Sequence, residues 1–140
     1  MVTGWVVDSS ITLAWGFPDE GSPVADRFWK EVQSGVQLHI PSLWWFECAN
    51  ALVVARRRER LSEEQAQQLA VLLGTLPLKT AGGPAGDDLA RLRILAERHG
   101  LTAYDAAYVD LARRMMTGLA TLDSRLADAA REEGVEVFST

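Results

Sequence analysis

Short apolar runs alternating with helical stretches constrain this chain more than any other feature. Trp5 to Val7, Gln37 to Ile40, Leu76 to Thr80, Leu119 to Leu122 and Val135 to Phe138 all read as short strands, and helix-period apolar residues fill the intervals between them. Parallel strands need crossover connections, and helices then cover both faces of the sheet. The alternation therefore predicts an α/β fold, a parallel sheet sandwiched between helices, within one domain over residues 1–140.

Local signals mark the helices. Ile11 to Phe17 continues an apolar pattern that Pro18 and Gly21 end, and Pro23 opens a helix in which Val24, Phe28 and Val32 form one stripe before Gly35. Leu43 to about Arg58 is the most apolar helix. Ser62 and Gln65 make a capping box for the next, which Gly74 closes. Asp87 and Asp88 start a fifth helix that runs to His99, where helix-dipole stabilisation accounts for them. Thr102 caps a sixth, with Tyr104, Tyr108, Leu111 and Met115 on one stripe, and Ser124 to Glu133 is the last.

Acidic residues at the ends of these elements raise the functional question. Asp8 follows the first strand, at the carboxyl end where open α/β sheets place their ligand crevice. Asp8, Ser9 and Ser10 are equally favoured helix caps, so these residues alone leave capping and a site both open. Between Leu43 and Ala55 only Glu47, Asn50 and the Cys48 thiol are polar, with Glu47 and Asn50 on one helix face. An ionised glutamate in such surroundings is costly unless something pairs with it. Asp105 lies at the margin of the sixth helix's stripe, whereas Asp110, about 140° further round, is expected to face water. Asp123 is expected to end the Leu119–Leu122 strand. Four carboxylates converging on one rim repel one another unless divalent cations balance them, and hard oxygen ligands suit magnesium or manganese rather than zinc.

Other features exclude classes. With 19 acidic and 14 basic residues the net charge is −5, which argues against general attraction to nucleic acid but leaves a local or metal-bridged site open. The one cysteine, Cys48, cannot close an intramolecular disulfide, and neither a signal peptide nor a long apolar span is evident, so a cytoplasmic protein without a membrane segment is expected. His39 and His99 lack partners at metal-ligand spacing and read as structural. Arg56, Arg57, Arg58 and Arg60 read as a solvated helix terminus, and of Trp44 and Trp45, about 100° apart, one is expected at a surface.

Val6-Val7-Asp8-Ser9-Ser10, Pro41-Ser42-Leu43 with Glu47 and Asn50, Tyr104-Asp105-Ala106-Ala107-Tyr108 with Leu111-Ala112, and Thr121-Leu122-Asp123 with Arg125-Leu126 together resemble the PIN-domain ribonucleases. Within that family they are most similar to the toxins of VapBC type II toxin–antitoxin systems, over nearly the whole chain. The resemblance implies a Rossmann-like α/β/α sandwich with a five-stranded parallel sheet, RNA cleavage dependent on Mg2+ or Mn2+, a homodimer, and neutralisation by a small cognate antitoxin. It assigns Asp8, Glu47, Asp105 and Asp123 as metal-binding and catalytic carboxylates, with Ser9, Asn50 and Thr121 in support. The alternative from another class is a PIN-like binding module whose metal site is vestigial. A haloacid dehalogenase-type phosphatase is disfavoured because Ser10 stands where its second aspartate belongs. A receiver domain is disfavoured because neither Lys30 nor Lys79 is suitably placed.

Overall fold

A computed structural model describes residues 2–138. The elements run β1 (Gly4–Val7), α1 (Ser9–Gly16), a 3₁₀ turn (Pro18–Glu20), α2 (Pro23–Gln33), β2 (Gln37–Ile40), α3 (Leu43–Arg57) and α4 (Glu63–Gly74). They continue with β3 (Leu78–Thr80), a 3₁₀ turn (Gly86–Asp88), α5 (Leu89–His99), α6 (Ala103–Met115), β4 (Gly118–Ala120) and α7 (Ser124–Glu132). All strand pairs are parallel, in the order β3-β2-β1-β4. Helices flank the sheet, giving the expected α/β architecture, with α6 packed on β1 and β4. Among the described residues no helix is long and apolar enough to cross a membrane.

Among the described residues the sheet has four strands rather than five. Val135 to Phe138 makes only an isolated parallel bridge between Val137 and Leu119, supported by Leu119 N–H donating to the Glu136 carbonyl and Phe138 N–H donating to Leu119. β4 supplies just three residues to pair with, which limits how far a fifth ladder can extend. β4 also stops at Ala120 rather than Leu122. β1 pairs with it along Trp5, Val6 and Val7, and the last rung is the Asp8 N–H donating to the Ala120 carbonyl. Asp123 is therefore not a strand end. It is the N-cap of α7, its Oδ1 accepting from the backbone N–H groups of Arg125 and Leu126.

The core gathers Val6, Val7, Ile11, Phe28, Ile40, Trp44 and Leu119, all fully buried. Trp44 lies inside, while Trp45 is 39% exposed with its indole N–H donating to Thr80, so the adjacent pair divides between core and surface as expected. Gly118 lets β4 approach β1: a Cβ there would come within 2.4 Å of the Trp5 ring and 2.9 Å of the Glu136 carbonyl oxygen. Gly118→Ala is accordingly expected to cost about 1–3 kcal/mol, read as a lower urea midpoint.

One surface expectation fails. Asp110 is 3% exposed, not turned to water. Arg91 of α5 reaches it through Nε at 2.7 Å and Nη2 at 3.1 Å, and Arg114 one turn along α6 through Nε at 2.9 Å. The face of α6 opposite its apolar stripe is covered by α5, which periodicity within α6 cannot reveal. The two histidines are structural. His39 is buried in β2, and the His99 ring lies 2.6 Å from the Glu133 carboxylate.

Candidate active site

β1 carries its chain directly to the site because Asp8 follows its last residue, beside the start of β4's exit loop. Asp8 is 7% exposed. It occupies the N-cap position of α1 without capping it, and its Oδ2 instead accepts hydrogen bonds from the Ser10 and Thr121 hydroxyls, each at 2.7 Å. Thr121 also accepts from the Asp123 N–H at 3.0 Å, and Ser10 from the Leu122 N–H at 3.0 Å. Two hydroxyls thus knit the ends of β1 and β4 together around a single carboxylate. Ser10, which reads from sequence as a cap, is a full member of this network.

Glu47 comes from the second turn of α3. Its Oε1 accepts from the Tyr108 hydroxyl and from the Ser9 hydroxyl at 3.4 Å. Tyr108 is completely buried on α6, one turn after Asp105. Its selection as a stripe residue concealed this role, although a buried tyrosine, unlike phenylalanine, needs a partner for its hydroxyl. Asp105 sits in the first turn of α6 beyond the Thr102 cap.

Asp8, Glu47, Asp105 and Asp123 line one open cavity of about 450 Å³, together with Ser9, Ser10 and Leu122. Glu20, from the 3₁₀ turn after α1, adds a fifth carboxylate that sequence reading missed. Arg60 fixes that turn, bonding Asp19 at 3.0 Å and approaching Glu20 at 3.4 Å while lying over the Phe17 ring. That clasp depends on residues about 40 positions apart, so no local motif marks Glu20. Asn50, one turn beyond Glu47, is exposed and does not line the cavity. Thr121 acts through Asp8 rather than at the cavity wall.

Electrostatics follow from burial. Desolvation pushes the Asp8 carboxyl above its ordinary range, against the lowering effect of its two hydroxyl partners, and Asp105 and Asp123 add repulsion. Glu47 is raised first by burial, an effect that Tyr108 opposes and the charge of Asp8 reinforces. Asp105 is raised by burial and by Asp123, with Thr102 and Arg125 pulling the other way.

The donor set fits a hard divalent cation. Asp8, Glu47 and Asp123 each have one carboxylate oxygen engaged by protein donors, while the other accepts no hydrogen bond from the described residues. All available donors are oxygens, and added positive charge would relieve the mutual repulsion. The acids share a cavity without being closed on a common point: among the described residues, no group of three or more His, Cys, Asp or Glu side chains is already at metal-holding spacing.

Comparison with known proteins bears on the family and the fold. Residues 5–132 match the PIN domain. Ribonuclease VapC3 of Pyrobaculum aerophilum is 36% identical over 123 residues, covering 88% of this chain and 92% of that protein. Among solved structures, FitAcB from Neisseria gonorrhoeae superposes with a TM-score of 0.63 at 17% identity, over 96% of each chain. VapBC2 from Rickettsia felis, bound to a DNA fragment from its promoter, gives 0.65 at 14%, over 95% of this chain and 96% of that one. These two likenesses speak to the fold, and the sequence matches speak to descent. The chain belongs to the PIN-domain family, as a relative of Ribonuclease VapC3 over most of its length.

Proposed function

We propose that this chain is a Mg2+- or Mn2+-dependent endoribonuclease, the toxin of a toxin–antitoxin pair, which hydrolyses RNA phosphodiesters. The observation that carries the proposal is the convergence of Asp8, Glu47, Asp105 and Asp123 on one cavity, with one oxygen each of Asp8, Glu47 and Asp123 accepting no hydrogen bond from the described residues. The name of its relative, Ribonuclease VapC3, supports RNA as substrate. Raised carboxylate pKa values at Asp8, Glu47 and Asp105 speak against a vestigial site, since retaining uncompensated buried charge costs stability without return.

Asp8, Glu47, Asp105 and Asp123 would hold the cation. When bound, a divalent ion supplies charge to oppose that of the phosphodiester and acidifies water for attack. The protein's own contribution is positional. Ser10 and Thr121 fix Asp8, Tyr108 and Ser9 fix Glu47, and the first-turn amides of α7 fix Asp123. No histidine or lysine lines the cavity, so proton handling falls to the carboxylates and water.

Neutralisation by a small antitoxin and assembly as a homodimer rest on the resemblance to VapBC toxins. Exposed apolar side chains such as Phe46, Leu89 and Tyr104 offer surfaces for association. A cytoplasmic location rests on the sequence reading, with which the lack of a membrane-spanning helix among the described residues is compatible.

Incubation of purified protein with total RNA in MnCl2 or in EDTA tests the activity. Cleavage at mapped internal sites with Mn2+ and none with EDTA is expected. Equal cleavage in EDTA would refute cation dependence, and intact RNA under both conditions would refute the ribonuclease reading. A thermal midpoint that rises with added MnCl2 provides an independent readout, because ligand at about 100 times Kd stabilises by about 2.7 kcal/mol.

A further inference from the structure

We infer that Tyr108 is a positioning residue for Glu47, whose hydroxyl holds one carboxylate oxygen so that the other is presented to the cavity. The inference rests on the reading of the site as a cation centre. Tyr108 lies at full burial on α6, and its hydroxyl donates to Oε1 of Glu47 on α3, 61 residues away in sequence. Ser9 Oγ addresses the same oxygen at 3.4 Å, a long contact, so the tyrosine is the principal tether. Oε2 accepts no hydrogen bond from the described residues, and Glu47 lines the cavity.

The sequence context makes this more than core packing. Phenylalanine would fill the same volume without requiring an acceptor, whereas a buried phenol needs one. The acceptor here is a carboxylate at the cavity, half-buried on a different helix. Asp105 and Tyr108 sit on successive turns of α6, so one helix brings a candidate ligand and the tether of another. A glutamate side chain has three rotatable bonds between its backbone and carboxylate, and the tether removes freedom that ligation would otherwise have to remove. Outer partners of this kind commonly change metal affinity 10- to 100-fold when removed.

Tyr108→Phe keeps the ring and deletes only the tether. Binding of MnCl2 alone, followed by electron paramagnetic resonance of the free ion, is the probe. Kd is expected to rise roughly tenfold, with the EDTA unfolding midpoint close to that of the unaltered protein. Ser9→Ala should raise it less. In a Glu47→Gln background, Tyr108→Phe should add nothing, because the group it positions no longer ligates as a carboxylate. Unchanged Kd in the single variant overturns the inference, as does the same tenfold loss in the Glu47→Gln background. Failure of the unaltered chain to bind Mn2+ overturns the reading of the site itself and is distinguishable from either result.

Discussion

Asp8→Asn is expected to reduce RNA cleavage by at least about 10³-fold, and at the same time to make the cation-free protein more stable at neutral pH. The first effect follows from removing the central anionic ligand of the proposed site. Loss of several kcal/mol of charge stabilisation in the transition state corresponds to three or more powers of ten in rate. The second follows from linkage. Burial raises the Asp8 pKa above its ordinary value of 3.8, so the folded state binds more protons than the unfolded state as pH rises through that interval. Stability therefore falls across the same window, and at pH 7 the ionised carboxylate is a net cost.

An amide keeps an oxygen to accept from Ser10 and Thr121 and removes the charge. The variant's advantage in EDTA should disappear below pH 3.8, where Asp8 is protonated whether folded or unfolded. Cleavage assays of both proteins, with urea midpoints in EDTA at neutral and acid pH, check the two halves independently. An active variant refutes the ligand role, and an equal or lower midpoint at pH 7 refutes the assignment of Asp8 as a destabilising buried charge.

Asp110→Ala carries the largest expected loss of stability, about 2–3 kcal/mol. The carboxylate is almost entirely buried and accepts three guanidinium bonds, two from Arg91 and one from Arg114. Arg91 also bonds Asp88 at 2.7 Å, so an alternating chain of charges fastens the start of α5 to the middle of α6. Both arginines are 40–45% exposed, and water can rescue them once their partner is gone, which places the loss below that of a fully buried pair.

Burial alone would raise the Asp110 pKa, but the bonds from Arg91 and Arg114 prevail and hold it below its ordinary value of 3.8. Its contribution is present above that value and is lost as pH falls through the depressed one. The difference in urea midpoint between wild type and Asp110→Ala should therefore narrow in acid. A constant difference from neutral to acid pH would show that packing, not the ion pairs, sets the cost. Because α6 also carries Asp105 and Tyr108, loosening its union with α5 should reduce cleavage as well, though far less than Asp8→Asn.

The architecture was readable because its signals are local. Apolar runs, the Ser62 and Gln65 capping box and the Thr102 cap all act within a few residues; both caps appear where sequence places them, while β3 and β4 are shorter than their apolar runs, Leu78–Thr80 and Gly118–Ala120. Asp8, Glu47 and Asp105 were legible for a related reason, standing at the end of β1 or near the start of a helix, positions that a parallel sandwich sends to one rim; Asp123 was read as a strand end and reaches the same cavity instead as the N-cap of α7. Relations between distant segments were not. Asp110 depends on Arg91 from a different helix, Glu20 on the clasp from Arg60, and Glu47 on Tyr108. Ser10 was ambiguous because one hydroxyl can cap a helix or serve a neighbouring acid, and only the proximity of Thr121 distinguishes the two. The missing fifth strand has a similar origin, since Val135 to Phe138 has strand-like composition but finds only a three-residue neighbour.

That abbreviated tail has a consequence for how copies of the chain can meet. Phe138 stands edge-on to both Trp5, at 5.4 Å, and Phe28, at 5.0 Å, so its attachment relies on aromatic packing as much as on backbone pairing. Lying beside Leu119, the tail occupies the outer margin of β4, where a foreign strand would otherwise dock. At the opposite margin β3 offers only Leu78, Lys79 and Thr80, preceded by Pro77, a short stretch whose length, lysine and proline all discourage a partner strand. Among the described residues, neither edge offers a long regular strand for another chain to pair with, so any association between copies would fall to the helical faces.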